Sequence, residues 1–81
     1  MYESINEAIS VIGVYANAHF VPKKFLWKYK EYLISSITFT ADIKEGDIRK
    51  RHYSVMSEGN AYRLLFDRSQ ETWKLKEVWS D

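Results

Sequence analysis

The chain has 81 residues and a net charge of +1, which bounds it to one domain whose core must be built from large side chains. It has three Trp, six Tyr and four Phe but no cysteine, so a disulfide framework and a thiolate metal site are both excluded. The near-neutral charge argues against a dedicated nucleic-acid binder, which carries a basic excess.

No apolar run approaches the roughly 18–20 residues that a helical membrane span needs. The start, Met1-Tyr2-Glu3-Ser4, lacks the basic and apolar regions of a signal peptide. The expectation is a cytoplasmic protein with no membrane contact. The missing cysteines fit a reducing compartment.

The first segment supports two readings. Ile5, Ala8, Ile9 and Ile12 fit a helical stripe, with Ser4 and Glu7 as a capping box. Ile9, Val11, Gly13 and Tyr15 fit a strand, and β-branched density favours a strand over residues 9–15. A short N-terminal helical turn stays open for the residues before it. Asn17-Ala18-His19 reads as a turn, and Pro22 forbids a central strand at that point.

From there the apolar residues recur every second position, the period of a strand with one buried face. Phe25 and Trp27 mark a strand over residues 23–28, and Tyr29-Lys30-Glu31 marks a reversal. Residues 32–43 form a long strand whose phase flips at Ser35-Ser36, which predicts a bulge or sharp bend. Lys44-Glu45-Gly46-Asp47 is a turn, and a strand follows over residues 49–56. Ser57-Glu58-Gly59-Asn60 carries the clearest hairpin chemistry. Strands over residues 61–67 and 72–79 flank a last turn at residues 68–71. The predicted fold is mainly β: one domain over residues 1–81, an antiparallel meander of five to six strands curled into a half-open barrel. Phe25, Trp27, Tyr32, Ile34, Val55, Tyr62, Leu64, Phe66, Trp73 and Leu75 are expected to line its core.

Several segments resemble a known pattern. Pro22-Lys23-Lys24-Phe25-Leu26-Trp27 and Lys30-Glu31-Tyr32-Leu33-Ile34 look like Pro, two basic residues, Phe-x-Trp, a turn and Tyr-x-Val. Arg51-His52-Tyr53-Ser54-Val55, the hairpin from Glu58 to Asp67, and Trp73 to Trp79 continue it. Over roughly residues 9–81 the chain resembles a small uncharacterised bacterial domain family of unknown function. Some of its relatives are encoded near error-prone DNA synthesis proteins. The family tends to have a turn Gly where this chain has Tyr29, and a Trp where it has Ile37-Thr38-Phe39. The resemblance implies no catalytic residue.

Little here points to catalysis. His19 and His52 are the only imidazoles, with no nucleophile signature around any Ser and no metal-ligand spacing. Asp67, at a strand end, reads as a turn cap that accepts backbone N–H groups two residues on. Neither Gly46 nor Gly59 belongs to a phosphate-binding loop. No cofactor, metal or catalytic site is expected. The candidate binding surface is Lys23, Lys24, Lys28, Tyr29 and Lys30 around the first hairpin, Arg49, Lys50 and Arg51, and Trp79. Exposed aromatics beside basic residues suit either a protein partner or stacked single strands. The expected function is a non-enzymatic protein–protein interaction or adaptor module, with a homodimer as one form. The alternative is an accessory nucleic-acid-binding domain.

Overall fold

A computed structural model describes residues 1–79. They form seven antiparallel strands: β1 (Tyr2–Ala16), β2 (His19–Trp27), β3 (Lys30–Leu33), β4 (Ser36–Glu45), β5 (Ile48–Ser57), β6 (Asn60–Asp67) and β7 (Thr72–Trp79). The sheet order is β3-β2-β1-β7-β6-β5-β4. Sequence neighbours pair everywhere except between β3 and β4, which lie at opposite edges although only Ile34 and Ser35 separate them.

That connection dictates the shape. A flat seven-stranded sheet would hold its edges about 29 Å apart, at about 4.8 Å per strand. The link from Leu33 to Ser36 reaches at most about 11 Å. The sheet must therefore roll until its edges nearly meet, which gives the curled half-barrel. At the corner, Ile34 N donates to Lys23 O (2.9 Å) and Ser35 N to Met56 O (2.8 Å). The predicted long strand with a flip at Ser35-Ser36 is this pair, β3 and β4, bent at one point.

β1 turns the opposite corner. Its first half pairs β7 from Tyr2↔Trp79 to Ile9↔Trp73, and its second half pairs β2 from Ser10↔Leu26 to Ala16↔His19. The N-terminal helical turn is not formed, since strand runs from Tyr2. The ambiguity has a simple origin: Ile5 and Ile9 are four apart, a spacing that one helix face and one strand face share. Both pack on the core. Among the described residues no helix is long and apolar enough to cross a membrane.

Inside the roll, Phe25, Tyr53, Val55, Tyr62, Leu64 and Leu75 form the buried cluster. Trp27, Tyr32, Ile34, Phe66 and Trp73 pack against it, so all ten expected core residues face inward, and Tyr53 joins them. The rings segregate. Phe25 stacks on Tyr32 (4.9 Å between centroids, 7° between planes) and meets Tyr62 edge-on at 5.2 Å. Toward the other end, Trp73 contacts Phe66 at 4.8 Å, Tyr53 at 5.3 Å and Phe20 at 5.8 Å.

The roll is left open along one seam. β2 pairs β3 only from Lys24 to Trp27, so the edge of β2 from His19 to Pro22 has no strand beside it there. Pro22, which has no N–H to donate, sits in this unpaired stretch, as its chemistry requires. Across the seam lies the outer edge of β4. A hollow of about 330 Å³ separates them, lined by residues that include His19, Phe20, Ile37, Thr40, Asp42 and Tyr53.

The hairpin turns are tight. Lys28 and Tyr29 both adopt positive φ (51° and 64°), as a two-residue turn of this hand requires. A Tyr there is strained, because its Cβ crowds the following carbonyl. Tyr29→Gly is expected to stabilise the domain by roughly 0.5–1 kcal/mol, read as a higher urea midpoint; an unchanged or lower midpoint would contradict the strain. At the last turn, Asp67 Oδ1 accepts from Ser69 N (2.8 Å) and Gln70 N (3.1 Å), which is the expected cap. Asp67→Ala is expected to cost about 1 kcal/mol in thermal or urea unfolding.

Candidate interaction surface

The residues expected to form one binding surface fall at separate places. The β2–β3 turn with Lys28, Tyr29 and Lys30 stands at the same end as the β5–β6 turn, and Lys30 Nζ pairs with Glu58 at 3.0 Å. Arg49 and Lys50 begin β5 at the opposite end. About eight residues of strand separate Lys50 from Glu58, roughly 26 Å. Trp79 lies at the first end, beside Tyr2 on β1.

Most of the predicted cations are also occupied. Lys24 pairs with Glu31 (3.2 Å), Lys50 with Glu45 (3.4 Å) and Arg51 with Asp42 (2.6 Å). The Arg51 bond holds the Asp42 carboxyl below its usual range. Lys28 lies over the Trp27 ring and Lys30 over Tyr32, each 4.9 Å from the centroid. Among the described residues Lys23 and Arg49 form no ion pair. Arg49 lines a hollow of about 290 Å³ together with Lys44, Lys50 and Arg68.

Of the two aromatics expected outside, Tyr29 is fully exposed and Trp79 partly so. Phe39 is exposed too, at 60%, and periodicity alone did not single it out. The cause is a register shift between Ile37 and Phe39. The extra residue, Thr38, donates its hydroxyl to Ser54 O (3.1 Å). Ile37 thereby packs on the core, while Phe39, two positions on, turns to the convex face.

That convex face, formed by β4 to β7 and the start of β1, carries a cluster that sequence spacing could not assemble. The Arg63 guanidinium lies 3.8 Å from the centre of the Tyr2 ring and pairs with Glu77 at 3.2 Å. Tyr2 meets Trp79 edge-on at 5.1 Å. Arg63 also lines a hollow of about 270 Å³ with Phe39, Ala41, Ile43, His52 and Ser54. His52 is held below the ordinary imidazole range by burial and by the charges of Lys76 and Arg63. Only Trp79 of this group was in the predicted surface.

Chemistry for catalysis is sparse. Among the described residues no group of His, Asp and Glu could hold a metal ion. No carboxylate or hydroxyl forms a hydrogen bond to either imidazole among the described residues. Comparison with family models, curated proteins and solved structures gives no match for this chain.

Proposed function

We propose that this domain is a non-enzymatic protein-interaction module that engages its partner through the convex face of β4–β7. One observation carries the reading: Arg63, stacked on Tyr2 beside Trp79, shares a face with the exposed ring of Phe39. Tyr, Trp and Arg are the side chains in which binding energy concentrates at protein interfaces. Arg63 is held in place by Tyr2 and Glu77, so little freedom is lost when it docks. The core aromatics are committed to folding, which leaves these outward ones for binding. The partner that fits presents an apolar patch for Phe39 and Ile43 and a carboxylate for Arg63.

The test is a photo-crosslinking residue at Ser54, in the hollow between Phe39 and Arg63. In cells it is expected to give one heavier adduct that Arg63→Ala and Phe39→Ser each abolish. No adduct, or one indifferent to both substitutions, would remove this face from the reading.

A second reading has its own observation. Lys44, Arg49 and Arg68 line one hollow, which Asp42 also lines, and these three cations form no ion pair among the described residues. Three such cations could neutralise phosphates of a single strand. Log K should then fall by about 2 per decade of salt, at about 0.7 per phosphate. Fluorescence anisotropy of a labelled single-stranded oligonucleotide measures this, and absence of binding at low salt would dismiss it.

A further inference from the structure

We infer that two copies of this chain associate through the outer edge of β4, antiparallel and across a two-fold axis at Ala41. β4 has ten residues and pairs on one side only, with β5; its other edge borders the open seam. Between the bulge at Thr38 and the turn at Gly46, residues 39–45 present a regular edge, and its unpaired N–H and C=O groups are a template for another strand.

The hairpin fixes which groups are free. Glu45 and Ile48 face each other across the two-residue turn Gly46-Asp47, and residues that flank such a turn exchange both backbone bonds. Alternation along β4 then points the backbone of Ile43, Ala41 and Phe39 at β5. It points that of Lys44, Asp42 and Thr40 outward. A second β4 must join through those three.

Few two-fold registers satisfy that condition. Centring on Asp42 or Lys44 sets like charges directly opposite, which is destabilising. Centring on Thr40 sets Asp42 against the bulge at Thr38. With the centre at Ile43, Asp42 meets Lys44, but the pairing stops at residues 41–45 and Phe39 falls opposite Asp47 of the turn, its exposed ring without a cross-strand neighbour. The Ala41 register pairs Thr40 with Asp42 and Phe39 with Ile43, each twice, and sets no like charges together. Phe39 and Ile43, exposed and half-exposed in one copy, then stand side by side on the convex face as cross-strand neighbours. The two convex faces become one continuous surface.

Sedimentation equilibrium tests this. The wild type is expected at twice its 9.6 kDa mass. Ala41→Lys and Ala41→Glu should each be monomeric, and an equal mixture should return to a dimer, because the two side chains meet at the axis. Thr40→Pro removes one outward N–H and leaves the β5 ladder whole, so it should give a folded monomer. A monomeric wild type, or a dimer indifferent to Ala41→Lys and Thr40→Pro, would overturn the inference. Tightening by Ala41→Lys would overturn it as well, since that is expected of the Ile43 register, where residue 41 opposes Glu45. The inference rests on the interaction-module reading, yet mass reports the edge and the Ser54 adduct reports the convex face, so either can fail alone.

Discussion

Phe25→Ala is expected to destabilise the domain by about 3–5 kcal/mol, the cost of deleting a fully enclosed ring. Phe25 has no exposed surface. It is held on one side by the parallel Tyr32 ring and on another by the edge of Tyr62, and those rings cannot close over a methyl group. A domain of this size has total stability near the low end of roughly 5–15 kcal/mol, so the variant should be substantially unfolded at growth temperature. Phe25→Leu separates volume from ring geometry. It keeps most of the buried area and should lose roughly 0.5–1.5 kcal/mol from the broken aromatic pairs. Urea unfolding followed by tryptophan fluorescence reads both, with the slope held constant between variants. Phe39→Ala is the contrast: an exposed ring outside the core should shift stability by no more than about 0.5 kcal/mol. If the two alanine variants behave alike, the division of aromatics into core and surface is wrong.

That division was legible in part. The two-residue beat of Tyr62, Leu64 and Phe66 survives because β6 pairs β5 without a shift, and that of Trp73 and Leu75 because both pair β6 on one side of the shift between Arg63 and Leu64. The beat failed for Phe39, where one extra residue reversed the phase. Nothing in Ile37-Thr38-Phe39 marks such an insertion before the partner strand is known. The sheet order was out of reach for a related reason. Local periodicity shows that residues 32–43 bend near Ser35, but not that the bend carries the chain from one sheet edge to the other. The candidate surface suffered most. Lys24, Lys30, Lys50 and Arg51 looked available as sequence and proved to be paired with carboxylates up to 28 positions away. Arg63, Tyr2 and Phe39 come from three distant segments, and only the rolled sheet brings them onto one face.

Gly13→Ala should be the second most damaging small change, although it adds a single methyl group. The position looks ordinary in sequence, an alternating site in an apolar stretch. In the fold, β1 changes register against β2 between Ile12 and Gly13, and the strands are pressed together there. A Cβ at residue 13 would collide with the Val21 carbonyl oxygen, while the Phe20 ring would stand at 2.7 Å and the Pro22 Cα at 2.9 Å. Two of those three are backbone, so no side-chain rotation relieves the contact, and β2 must move away from β1. Overpacking of this kind costs roughly 1–3 kcal/mol. The displaced segment includes Phe20, which packs on Trp73 and whose carbonyl accepts from the Tyr53 hydroxyl at 3.5 Å. Loss should therefore appear twice, as a lower urea midpoint and as a changed Trp73 emission in the folded state. Gly46 and Gly59 provide the control, since a Cβ there meets open space and only their positive φ opposes it, at about 1 kcal/mol. The difference between the sites also bears on the seam. The stretch of β2 that Gly13 holds down is the one that faces β4 across the open hollow, so a β2 that shifts should alter access to the β4 edge. In sedimentation, Gly13→Ala should change self-association where Gly59→Ala does not, and equal stability of Gly13→Ala and the wild type would show that the close approach is not a constraint.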